Sequence, residues 1–281
     1  MKTTFLKKPA LAVALTALVT AALAWPVPVV AQTTNTAAVL PGDALAKTGE
    51  PAIEPAALAA LDRMGAYLRT LKMFQIEAAV QQEEALDNGL KAQFAGVANL
   101  VARKPDRLRV EVSSDRQERQ YLYDGKLFTL WARRVNCYAT VPAPPTILEL
   151  VNTVEEKFGI EMPLVDLFRW GAADNSNTGI TAAVDIGPSK IGDADCRHYA
   201  FRQEGLDWQI WIQNGDCPLP RKLVLTTTTD EARPQYQATY TWNLAPTFKD
   251  ADFTFEAPAD AYRIVFEKIP PEAGASKKEE K

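Results

Sequence analysis

The chain is poor in the residues that most enzyme chemistry needs. Its 281 positions include one histidine, His198, and three cysteines, Cys137, Cys196 and Cys217. A serine or cysteine triad would have to take His198 as its base. A zinc site would need further ligands at a set spacing, and there is no C-x-x-C pair. No glycine-rich phosphate loop, βαβ rhythm or internal repeat is found. Asp87, Asp166, Asp185 and the pair Glu155-Glu156 are scattered among turns and helix surfaces, with no acid/base pair evident from spacing. No catalytic residue, metal or cofactor is therefore expected. Acidic residues outnumber basic ones, 35 Asp and Glu against 31 Lys and Arg. The formal net charge is −4, which argues against nucleic acid as the main partner and against docking on anionic headgroups by bulk charge.

Long apolar runs are limited to one. Lys2, Lys7 and Lys8 precede an apolar stretch from Leu11 to Ala24, and Val29-Val30-Ala31 offers a small-residue cleavage site. Residues 1–31 read as a secretory signal, or else as an uncleaved anchor; both export the domain. Cleavage removes three lysines and no acid, moving the charge from −4 to −7. No cysteine follows the run, so N-terminal lipidation has no site. No second run of about 18 apolar residues follows, so no membrane span is expected in the mature chain. In an exported protein two of three cysteines are expected to pair. Cys196 and Cys217 flank a hairpin centred near Leu206 and are expected to form the bridge, leaving Cys137 as a buried free thiol.

What remains is patterned for a core: 47% of residues are hydrophobic and 23% charged. Residues 32–54 show no period and read as a flexible lead-in. Ala57, Leu61, Met64, Leu68 and Leu71 then mark a helix opened by Pro55. From Phe74 the period is two. Leu108, Val110 and Val112 alternate with Arg107, Arg109 and Glu111, one dry face against one wet face. Asp124-Gly125 reads as a two-residue hairpin turn. Thr146 and Glu149 form a capping box, Ile147, Leu150, Val151, Val154 and Phe158 an apolar stripe, and Gly159 a C-terminal cap. "MPLVDLFRWG" reads as a second short helix and "ADNSNTG" as a loop. Strands then resume, and residues 269–281 are charged and expected to be disordered. The strand links are short, so pairing should be mainly antiparallel. The class is α+β, one domain over 55–268.

Parity assigns the faces. Tyr199 and Phe201 share one face, with Cys196, His198, Ala200 and Arg202 opposite. Trp208, Ile210 and Ile212 share a face, with Trp211 on the polar side. Leu223 and Leu225 form a stripe, as do Tyr236, Ala238, Tyr240 and Trp242. Such a dry, aromatic face must be covered. A curved sheet partly enclosing its helices solves the packing and leaves open whether the interior is filled or holds a cavity. Arg221 and Lys222 stand at a strand entrance, either as an ordinary exposed end or as groups meeting a lipid phosphate at a cavity rim.

"YDGK", "PLVDLF", "CRHYAFRQEGLDWQIWI" and "PLPRKLVLT", in that order, resemble a bacterial family of predicted periplasmic proteins, the domain-of-unknown-function family 2092, from about Pro55 to Phe266. That family looks like part of the LolA/LolB-like group of envelope proteins, and "WNLAPTFKDADFTFEAPADA" is similar to the group's closing strands. The resemblance implies an unclosed half-barrel of about eleven antiparallel strands around a helical lid. It also implies a periplasmic location and a role in carrying acyl chains or lipids, or in sensing envelope stress. A fold does not settle a ligand. On this reading Phe201, Trp208, Ile210, Leu223, Leu225, Tyr240 and Trp242 line the inner face against a hydrophobic small molecule or lipid. Helices near Leu150 and Leu167 act as lid. The alternative is a packed interaction or stress-sensor module that binds an envelope protein, with Trp211 as its exposed anchor.

Overall fold

A computed structural model describes residues 52–170 and 179–267. The expected signal segment 1–31, most of the lead-in, residues 173–178 of the expected loop and the tail 269–281 lie outside the described residues.

Pro55 opens helix α1 (Pro55–Thr70), where its missing N–H costs no hydrogen bond. Ala57, Leu61, Met64 and Leu68 are buried along one stripe, as their spacing predicts. Six strands follow: β1 (Met73–Ala85), β2 (Lys91–Arg103), β3 (Arg107–Ser114), β4 (Glu118–Tyr123), β5 (Leu127–Ala132) and β6 (Cys137–Pro142). Helix α2 (Ile147–Phe158) and the single-turn α3 (Asp166–Trp170) come next. Then come β7 (Ala182–Ile191), β8 (Ala194–Gln203), β9 (Leu206–Gln213), β10 (Pro220–Thr227), β11 (Gln235–Asn243) and the two-residue β12 (Tyr262–Arg263).

These strands form one open sheet of twelve, in the order β12-β6-β5-β4-β3-β2-β1-β11-β10-β9-β8-β7. Eleven are joined by antiparallel pairs, and β12 adds to β6 in parallel. The sheet is thus two meanders sharing a central seam. One runs outward from β1 to β6. The chain then passes to the opposite edge by way of α2 and α3, and the second meander returns inward from β7 to β11, which pairs with β1. The crossing explains why helices interrupt the strands in sequence: a link between opposite edges must travel over a face, and an apolar stripe lets it travel over the dry one.

The local signals behave as their chemistry requires. The Thr146 hydroxyl accepts from the Glu149 N–H at 3.2 Å, and Gly159 closes α2 at φ 61°. The β4–β5 turn falls one residue later than expected. Gly125, at φ 89°, and Lys126 form its tip, because the Asp124 carboxylate accepts from the N–H groups of Lys126 and Leu127. The lead-in is ordered where it reaches the domain. Ala52 and Glu54 exchange backbone hydrogen bonds with Ala183, covering part of the β7 edge.

One core cluster joins α1, α2 and α3 to the inner face of the sheet. Gly65 of α1 passes so close to the Trp170 carbonyl that a β-carbon there would collide with it. On the outer face Val101, Leu122 and Phe253 are buried apart from that cluster, where the turn Asp250–Phe253 lies over β2 and β3. None of the described helices is long and apolar enough to cross a membrane.

The expected disulfide is not formed; all three cysteines are free. Symmetry about the hairpin centre proves a poor guide. Gln213, not Cys217, is the residue opposite Cys196 in the β8–β9 register. Cys196 is fully buried, with the outward parity of β8. Cys217 lies past the end of β9 beside the Tyr67 hydroxyl of α1, and that proximity, with burial, raises the Tyr67 pKa. Cys196 takes the outward parity of β8 while Cys217 sits beside α1, which packs on the inner face, and a bridge needs converging β-carbons. Cys137 is partly exposed rather than buried. A thiol reagent added to the unfolded, unreduced protein should count three thiols per chain; a count of one would restore the bridge.

Candidate functional site

The expected wall residues do share one face and one cluster. Phe201 stacks on Trp208 at 4.2 Å, and Trp170 of α3 lies over Trp208 at 6.2 Å. Ile210, Leu223 and Tyr240 are buried beside them, and Leu225 and Trp242 are half-buried. Trp242 donates its indole N–H to the Pro220 carbonyl at 2.8 Å and meets Phe74 at 5.6 Å. The expected lid residues Leu150 and Leu167 are buried over the same face. The wall and lid residues are buried against one another here, and a cavity of about 220 Å³ remains beneath α1, lined by Ala60, Tyr199 and Ile212.

A larger space lies elsewhere on the same face. A cavity of about 670 Å³ opens over the inner sides of β1, β2, β3 and β4. Its size falls within the range of small-molecule sites, roughly 300–1,000 Å³. Val80, Gly96, Ala98, Val112 and Tyr121 floor it. Register places Val80 between Gly96 and Ala238, two small neighbours, so the floor is low there. Met162, Pro163 and Leu164 of the α2–α3 link and Asp166, the first residue of α3, form one wall, and Leu225 and Tyr236 form another. Of the expected wall residues, Leu225 alone lines this cavity.

Polar groups stand at two places. At the inner wall Asp166 faces Tyr236. Asp166 lines the cavity, and burial raises its pKa; Arg169, at 3.9 Å, opposes the rise and Glu155 adds to it. Burial, with Asp166 nearby, pushes Tyr236 up to about 12. At the mouth Arg116 pairs with Glu84 and lies 4.7 Å over the Phe94 ring. Arg119, Gln117 and Glu161 complete the rim. An apolar floor between polar ends suits an amphiphile.

The remaining candidates are spoken for. Trp211, on the outer face, stacks on His198 at 3.8 Å and donates to the Ser189 hydroxyl at 3.1 Å, with the Lys222 ammonium 5.0 Å over its ring. Arg221 binds the Gln213 side-chain oxygen. His198 is hydrogen-bonded to Gln209 at 2.9 Å. Burial lowers its pKa against the opposing effect of that bond, and Lys222 lowers it further. A group with a depressed histidine pKa takes up its proton more readily unfolded. It therefore removes stability as pH falls below about 6.5, the unfolded value. With one histidine in the sequence, the imidazole signals in a proton NMR titration should give a folded midpoint below that value; a midpoint above it would contradict the burial.

Fold and site together define an open-sheet protein whose crossover helices pack one half of the inner face and leave a cavity over the other. The chain belongs to the family described as predicted periplasmic protein (DUF2092), whose model matches residues 57–267. No curated protein matches the chain. Among solved structures, it is similar to an uncharacterized conserved protein from Thermus thermophilus, at 14% identity and TM-score 0.43, covering 75% of this chain and 99% of that one. It is also similar to LprF from Mycobacterium bovis, at 12% identity and TM-score 0.39, over 76% and 100% of the two chains. A LolA-superfamily protein from Nitrosomonas europaea matches at 11% identity and TM-score 0.35, over 71% and 97%. Likeness at these values assigns no ligand.

Proposed function

We propose that this protein is a non-enzymatic periplasmic binding protein that holds a hydrophobic ligand, a lipid or acyl chain, in the bacterial cell envelope. The supporting observation is the cavity of about 670 Å³, floored by Val80, Gly96, Ala98 and Val112. A cavity with an apolar floor gains free energy when an apolar chain displaces its water, about 25 cal/mol per Å² before ordering costs. The family's periplasmic description and the signal-like segment 1–31 support export. Protein purified from its native host should carry lipid detectable by mass spectrometry, and the delipidated protein should take up a fluorescent fatty acid. Failure on both counts would sink the proposal.

A further inference from the structure

One charged side chain in the cavity stands alone. Arg119 has the inner-face parity of β4, between Val112 of β3 and Ala132 of β5 in register. The same row continues through Ala98 and Ala78, both fully buried. It is a cation planted within an otherwise apolar row. Among the described residues its guanidinium has no ion-pair or hydrogen-bond partner. The other cation of the lining, Arg116, is held by Glu84 and stacked over Phe94. Glu84 is in that pair, Asp166 lies 3.9 Å from Arg169, and among the described residues none of the acids of the lining, Glu84, Glu161 or Asp166, forms an ion pair with Arg119.

We infer that the cavity selects an amphiphile with an anionic head: its tail lies over Val112, Ala98 and Val80, and its carboxylate or phosphate binds the Arg119 guanidinium. The inference rests on the reading that the cavity holds a hydrophobic ligand. Arg119 is exposed, so water solvates it while the site is empty and the unpaired charge costs little. A bound tail drives water from the floor. The local dielectric then falls and an anion at Arg119 is held more strongly than it would be in open water. A guanidinium presents a planar fork of donors that matches two oxygens of a carboxylate or phosphate. A fatty acid and a lipid phosphate offer the same chemistry here.

Calorimetry on the delipidated full chain with tetradecanoate, tetradecyl phosphate and tetradecanol separates the possibilities. Arg119→Gln should weaken one or both anions about tenfold, equivalent to about 1.4 kcal/mol. It should leave the neutral alcohol unchanged. Whichever anion loses more names the head. Arg119→Lys should recover part of the loss, and added salt should shrink the gap between anion and alcohol in the wild type. Equal weakening of alcohol and anions, or no weakening of either anion, overturns the inference while leaving the hydrophobic site in place. A wild-type protein that binds none of the three overturns the carrier reading itself.

Discussion

Val80→Trp should reduce uptake of a fluorescent fatty acid at least a hundredfold, equivalent to about 2.8 kcal/mol or more, with little change in stability. Val80 is half-buried on the cavity floor, opposite Gly96 on one side and Ala238 on the other. Neither neighbour has a side chain large enough to resist an indole laid over it. The added ring therefore enters the space that the ligand would fill. Tryptophan is also at home in a β-strand, so the backbone need not change. Fluorescence titration for binding and urea unfolding for stability check the two halves of the claim. Normal uptake by a folded variant would move the ligand out of this cavity.

Ile210→Ala should do the reverse. Ile210 is 0% exposed, paired between Tyr199 and Leu223, with the Phe201–Trp208 stack next along the sheet. Its packing is complete, so truncation leaves a void. The expected loss is about 2–5 kcal/mol, a large share of a stability that is typically about 5–15 kcal/mol. Urea unfolding should show a lower midpoint at an unchanged slope. Fatty-acid affinity, measured well below the transition, should stay within about twofold, because Ile210 does not line the cavity. A large loss of affinity without a loss of stability would return the site to the residues around Trp208.

The two variants trace the line between what the residues disclose and what they hide. Parity places Trp208, Ile210, Leu223 and Tyr240 on the dry face, since alternation reports a side chain's face directly. The capping chemistry of Thr146 and Gly159 places α2. Which part of a dry face stays uncovered depends on the path of the crossover, and no local pattern encodes it. Trp170 reaches Trp208 because α1 and α3 meet closely at Gly65, and the α2–α3 link stops short of Val80 and Gly96. Those small floor residues carry little hydrophobic signal of their own beside the tryptophans. Arg119 is hidden for a related reason. It lies in a short strand, "ERQYLY", whose inner parity becomes visible only once Val112 and Ala132 are known to flank it. The cysteine pairing fails because hairpin symmetry says nothing about which face a thiol leaves.

The seam between β1 and β11 has a consequence for how the chain acquires its structure. Gln75 pairs with Asn243 and Gln82 with Tyr236, so the middle of the sheet is closed by residues from the two ends of the domain. As the chain emerges amino-terminus first, β1 can gain β2 at once but must wait for nearly the whole domain before its other edge is paired. Contacts of such sequence separation close slowly, and an open edge in the meantime is a template for other chains. Gln75, Glu77, Ala79 and Gln81 alternate along the face of β1 that looks away from the helices, and polar side chains on a waiting edge discourage the wrong partner. The last long strand is thus the one that protects the first, and a protein truncated before Gln235 should aggregate rather than fold as a smaller sheet.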